Sequence, residues 1–231
     1  GTSIESIVIP ASVMKVSPSA LANTKQLKSI KVKKGNRVYD SRKGCNAIIE
    51  SENDRLVQAC ATTKIPKGTK VIAKDAFEYV DVTDFHIPSS VVEIEHGAFF
   101  GSGLKGRLVI PANVKRIGER AFSCCYGIDE LVVEEGVETI DDAAFSNCTG
   151  LRRAELPASL KNFGSGLRYS CVFEGCHLLE EIDIPEENPY YYCYRNAVVE
   201  KGTLTVVDGT GLGHCQLHIG LQEYRPKRIA S

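Results

Sequence analysis

Tryptophan is absent from the 231 residues, and methionine occurs once. No run of 18 apolar residues exists, so no segment is long enough to span a membrane as a helix. Charge of one sign is missing as well: 28 Lys/Arg stand against 29 Asp/Glu, a formal net of -1. That balance excludes the basic footprint of a nucleic-acid binder and any general attraction to anionic lipid. No signal peptide is visible. The start, Gly1-Thr2-Ser3, has no initiator Met and reads as the interior of a longer protein whose leader has been removed.

Catalytic and metal signatures are lacking too. There is no G-x-S-x-G elbow. Asp208-Gly209-Thr210-Gly211-Leu212-Gly213 lacks the lysine of a phosphate loop and reads as a flexible connection. His214, Cys215 and His218 come close in sequence, but Leu217 and Ile219 mark a strand, where residues four apart sit about 13 Å from each other. Cys171 and His177 have nothing that orients them as a nucleophile and base. The expectation is a non-enzyme with no cofactor and no metal.

What is present is a repeat. Ile-Pro or Leu-Pro ends at Pro10, Pro66, Pro88, Pro111, Pro157 and Pro185, with spacings of 22, 23 and 46 between Pro66 and Pro157. Glu134 replaces Pro in the middle copy. A second marker runs in phase: Ala76-Phe77, Ala98-Phe99, Ala121-Phe122 and Ala144-Phe145, with Ala20-Leu21 and Val172-Phe173 as degenerate members. The last copy is stretched by five residues near Gly164 to Ser170. The Ile-x-Ile alternation reads as a short strand with two side chains turned into a core. Pro ends it, having no N–H to donate. Val and Ile three apart (Val114 and Ile117, Val137 and Ile140) form the next buried segment, and Ala-Phe a tight turn or single helical turn with its ring inside. One such unit cannot bury these faces; stacked units can, around a continuous column.

Nine cysteines are an odd count for a disulfide framework. Cys125, Cys148 and Cys176 each follow the repeat Phe by three, a slot held elsewhere by Thr24, Val80 and Ser102. They read as packing thiols, without the paired spacing of a zinc site. Two matching hairpins interrupt the repeat, at about 33–63 and 188–210: Asn46-Ala47-Ile48-Ile49-Glu50 corresponds to Asn196-Ala197-Val198-Val199-Glu200. With a turn centred on Glu52-Asn53, Cys45 falls opposite Cys60; a disulfide and two free thiols are both open readings. A partial unit, 215–231, ends the single repeat domain spanning 1–231.

The Ile-Pro, Val-x-x-Ile-Gly and Ala-Phe-x-x-Cys motifs resemble the BspA-like, or Treponema pallidum-type, leucine-rich repeats. The 23-residue period and the Asn-Ala-Ile-Ile-Glu insertion are similar to such proteins from gut Bacteroides. The resemblance covers about residues 4–219. It implies an α/β fold: a right-handed leucine-rich-repeat solenoid of short parallel strands with short helical or 3-10 turns. It also implies a secreted or cell-surface location and a role in protein interaction or adhesion to host or matrix macromolecules. It brings no catalytic motif. A structural spacer presenting a neighbouring domain is the alternative, and a glycan-binding module a more remote one.

Solenoids bind through the outward positions of their strand face. Here those are Val8, Lys31, Lys64, His86, Val109, Val132, Glu155 and Asp183. Residues 1–80 hold 14 Lys/Arg and 7 Asp/Glu, residues 81–187 hold 9 and 19, and residues 188–231 hold 5 and 3. Near-neutrality thus hides a bipolar chain. Lys28, Lys31, Lys33 and Lys34 suit an acidic partner; Glu134, Glu135, Glu155, Glu180, Glu181 and Asp183 suit a basic one, and together they allow head-to-tail self-association. His86 adds a polar contact. Tyr190, Tyr191, Tyr192 and Tyr194 lie outside the repeat core, and either form a binding surface or seal the end of the column.

Overall fold

A computed structural model describes residues 4–18, 20–21, 24–82, 85–165 and 170–209. The terminal unit expected at 215–231 and the His214/Cys215/His218 group lie outside the described residues. Strands β1 (Ser6–Ile9) and β2 (Ser29–Val32) come first. The first hairpin module holds β3 (Tyr39–Asp40), β4 (Ala47–Glu50) and β5 (Arg55–Ala59). Then come β6 (Val71–Ile72), β7 (Glu93–Ile94), β8 (Lys105–Ile110), β9 (Arg116–Ile117) and β10 (Gly127–Val133). They are followed by β11 (Thr139–Ile140), β12 (Arg153–Glu155), β13 (Asn162–Phe163) and β14 (Glu181–Asp183). The second module contributes β15 (Tyr191–Tyr194), β16 (Ala197–Glu200) and β17 (Thr205–Gly209). The only helical element among the described residues is a 3-10 turn at Arg42–Gly44, so the helical part of the expected α/β fold is small.

The chain is a solenoid whose coils stack through three ladders. The first is the Ile-Pro strand: β1 pairs parallel with β2, and β8, β10, β12 and β14 form a four-stranded sheet. The second is the Val-x-x-Ile segment, whose two-residue strands join an eight-stranded sheet in the order β13-β11-β9-β7-β6-β5-β4-β3. Its inward row of Ile49, Leu56, Ile72, Ile94, Ile117, Ile140 and Phe163 is at most 1% exposed. β-branched side chains suit that row because they fill a pleated, buried face.

The third ladder runs through the Ala-Phe turns. Phe77 N–H donates to Ala98 O, Phe99 to Ala121, Phe122 to Ala144 and Phe145 to Val172, at 2.7–3.0 Å. Flanking amides do the same, as Asp75 to His96 and Tyr79 to Phe100. The turn needs positive φ just before Ala-Phe and again two residues after the Phe. Gly97 and Gly101 meet that need, but Asp75, Tyr79, Arg120, Cys124, Ala143 and Asn147 also adopt it, at φ 54–61°. Each non-glycine there costs on the order of 1 kcal/mol, offset by the bonds to the next coil.

Inside, the phenylalanine rings pile up. Centroids of Phe77, Phe99, Phe122 and Phe145 are 4.6, 4.9 and 5.2 Å apart, the last two pairs within 5° of parallel. One hydrophobic cluster runs from Ile9 to Val198.

The expected cysteine slot is a buried site with a hydrogen bond. Cys125, Cys148 and Cys176 donate their thiols to Phe99 O, Phe122 O and Phe145 O at 3.1, 3.2 and 3.1 Å. Burial pushes the Cys125 thiol up to about 12, despite the Ser102 hydroxyl beside it.

The hairpins are built more deeply into the stack than interruptions would be. β5 pairs parallel with β6, so the first hairpin replaces a coil in the eight-stranded sheet. The second forms its own sheet, β15-β16-β17. Both carry a register shift at the same place, between Ile48 and Ile49 and between Val198 and Val199. That extra residue breaks the expected Cys45–Cys60 alignment. Both thiols are free and buried; Cys45 faces Ala47 O at 3.9 Å and Cys60 faces Asn46 O at 3.3 Å.

An asparagine clasps each module. Asn36 Nδ2 donates to Pro10 O and Val13 O while its Oδ1 accepts from Val38 and Tyr39 amides. Asn188 repeats this with Pro157 O, Leu160 O and the Tyr190 and Tyr191 amides. A side chain from the return strand then stands in for the missing coil: Gln58 Oε1 accepts Leu21 N–H, and Asp208 Oδ2 accepts Phe173 N–H.

Candidate functional site

The strand face is the natural contact surface, and two breaks divide it. Val8 pairs with Lys31, and Val109, Val132, Glu155 and Asp183 line up across β8, β10, β12 and β14, as the repeat predicts. Lys64 and His86 are not in that ladder, since neither lies in a strand. Lys64 follows the hairpin, which directs the chain into the other sheet. His86 sits in a shortened connector: Pro88 follows Phe77 by 11 positions, whereas Pro111 follows Phe99 by 12. Phe85, in this connector, meets the Phe77 and Phe99 rings edge-on at 6.2 and 5.1 Å. His86 itself is exposed.

The basic and acidic ends differ in kind. Lys28, Lys31, Lys33 and Lys34 are all exposed, and none has an ion-pair partner among the described residues. The acidic set is largely occupied. Glu155 pairs with Arg153 at 3.0 Å, Glu181 with Arg153 at 3.6 Å, and Glu180 approaches Arg152 at 4.0 Å. Glu134 accepts the Ala112 amide, and Glu135 accepts those of Ala158 and Ser159. Within this acidic set only Asp183, which is exposed, has neither an ion pair nor a side-chain hydrogen bond among the described residues. Across the four-stranded sheet Arg107, Glu130, Arg153 and Glu181 alternate in sign at facing positions. The acidic end therefore compensates much of its own charge, and a basic partner would have to displace those arginines. Comparing residues one period apart, 107 with 130 and 130 with 153, is the sequence signal that would have found this.

The tyrosines divide. Tyr191 is 6% exposed; its hydroxyl accepts Phe163 N–H at 3.2 Å and donates to Lys161 O at 3.3 Å. It seals the column and is removed from any contact surface, a correction to the binding role. Burial pushes its phenol up. Tyr192 and Tyr194 are half-buried against Ala197, Val199 and Val206, and Arg195 lies 5.3 Å over the Tyr194 ring. Tyr190 is 46% exposed and is the ring of this group most open to a partner.

A family model described as BspA type Leucine rich repeat region matches six copies, over residues 1–45 and 70–198. The unmatched stretch between them contains β4 and β5. No curated protein matches the sequence. Among solved structures the chain is similar to a leucine rich cell surface protein from Faecalibacterium prausnitzii, at 24% identity and TM-score 0.67, covering 80% of this chain and 48% of that one. It is also similar to a leucine-rich repeat protein from Eubacterium ventriosum, at 20% identity and TM-score 0.60, covering 80% and 56%. A third likeness is to the pneumococcal vaccine antigen PcpA, at 21% identity and TM-score 0.55, covering 80% and 40%. The chain spans about half the length of these proteins. Likeness at such identities carries the fold.

Proposed function

Because the chain belongs to the BspA-type leucine-rich repeat family, we propose that it is a non-catalytic binding module of a bacterial surface or secreted protein, contacting an acidic partner protein through its lysine-bearing strand face. The family is a repeat scaffold, and a structural relative is described as a cell surface protein. The observation that carries the reading is the contrast between the two ends. Four exposed lysines have no ion pair among the described residues, whereas the carboxylates of the other end, Asp183 apart, are tied to arginines and backbone amides. Unpaired exposed charge raises encounter rates and sets salt dependence. Extracellular matrix proteins are one partner class that this surface suits.

The test is capture from a host matrix extract at low and high salt. Charge reversal of Lys28, Lys31, Lys33 and Lys34 to Glu should abolish capture, and reversal of Glu155, Glu180 and Asp183 to Lys should leave it. Capture that is insensitive to salt, or that survives the lysine reversal, would overturn the proposal. Sedimentation of the chain alone at both salt concentrations separates head-to-tail self-association from partner binding.

A further inference from the structure

One corner of the solenoid departs from the charge-rich surface around it. Residues 98–104 and 121–128 contain no charged side chain, in a chain where a quarter of residues are charged. Two tyrosines stand out there, Tyr79 at 39% and Tyr126 at 61% exposure. The Tyr79 ring lies over Gly101, where a Cβ would come within 2.6 Å of the ring carbons. Phe100 braces it edge-on at 5.5 Å and 88°. Asp81 lies over Gly103, with its carboxylate where a Cβ would stand. That carboxylate is exposed, and it has no ion pair or hydrogen bond among the described residues.

Asp81 and Gly103 also border a cavity of about 560 Å³. It lies beside the shortened connector. Val82, Phe85 and Leu108 line it, and Lys105 and Arg107 stand on its β8 side. Neither tyrosine lines the cavity, but Tyr79 stands beside Asp81 at its edge. A ligand extending from the cavity onto the corner surface meets the tyrosine rings, the charged acceptor of Asp81 and the cations Lys105 and Arg107, the latter paired with Glu130 at 3.3 Å. An acidic segment would face Asp81, and a basic one would face Lys105 and Arg107. A neutral polyol satisfies all of them: its C–H faces stack on rings, its hydroxyls donate to the carboxylate and accept from the cations.

We propose that this corner binds a neutral oligosaccharide, with sugar rings stacked on Tyr126 and Tyr79 and hydroxyls donating to Asp81. The two tyrosines belong to coils two apart, about 10 Å along the stack, so the ligand spans more than one ring. The site is separate from the lysine face and stands or falls on its own.

Calorimetric titration with cellohexaose, chitohexaose and maltohexaose tests it. At least one should bind, and Tyr126→Ala and Asp81→Asn should each weaken it by about tenfold or more. Lys31→Glu should leave sugar binding unchanged. Both corner positions are exposed, so unchanged thermal melting identifies folded variants. No binding by any of the three at millimolar concentration overturns the proposal. So does binding that survives either corner variant, or that is lost with Lys31→Glu.

Discussion

Phe122 has its ring between two others at 4.9 and 5.2 Å and no solvent exposure. Truncation there opens a hole in a column that cannot collapse, because the rungs above and below are fixed by hydrogen bonds. Phe122→Ala should cost about 3–5 kcal/mol in urea unfolding, and a loss below 1 kcal/mol would contradict the stacked column. Glu95 gives a pH signature. Partial burial pushes its carboxyl up, but the hydrogen bonds from Arg55 and the Lys74 amide outweigh this and hold it below the usual 4.5. A carboxyl depressed by folding adds stability that is present above its unfolded value and is lost as pH falls through the folded one. Acid titration of the melting temperature should therefore show a fall below pH 4.5 that Glu95→Gln makes shallower. An unchanged slope would remove Glu95 from the acid transition. Phe122 was legible in sequence because it recurs with a fixed period. The Arg55–Glu95 pair was not, because it joins residues 40 apart across the hairpin module.

At the scale of elements, the two hairpin modules are the same device used twice. The sequence shows the matching Asn-Ala-Ile-Ile-Glu and Asn-Ala-Val-Val-Glu runs, but not how they dock. Docking depends on single polar atoms, and polar side chains carry no periodic signal. Asn188 makes four backbone hydrogen bonds with no exposure of its own. Asn188→Ala removes the partner of Leu160 O and of the Tyr190 and Tyr191 amides, while Pro157 O keeps its bond from Leu160 N–H, and should cost about 2–4 kcal/mol. Asn36→Ala, at a half-buried site that water can reach, should cost less. Equal, small losses in thermal unfolding would mean that the clasps are incidental. The turn positions were equally opaque. Asp75, Arg120 and Ala143 take a left-handed conformation that their residue types do not announce, and only the neighbouring coils impose it.

For the whole molecule, the period was enough to read the solenoid, the shared core and most of the outward ladder. It failed where the count changed by one residue. The spacing from Phe77 to Pro88 is one residue short where the strand face is interrupted, and the register shift in each hairpin moves the facing partners. The third ladder has a larger consequence. Its amides all point toward the C-terminal end, and its carbonyls all point back. The peptide dipoles of that corner add up, as in an α-helix, but with the positive pole at the C-terminal side. From Phe77 to Phe173 the row crosses five coils, and at its end the Phe173 amide meets the buried carboxylate of Asp208. At the turn of Leu21 the same place is taken by the neutral side-chain amide of Gln58. A full negative charge thus meets the accumulated pole of the row that ends at Phe173.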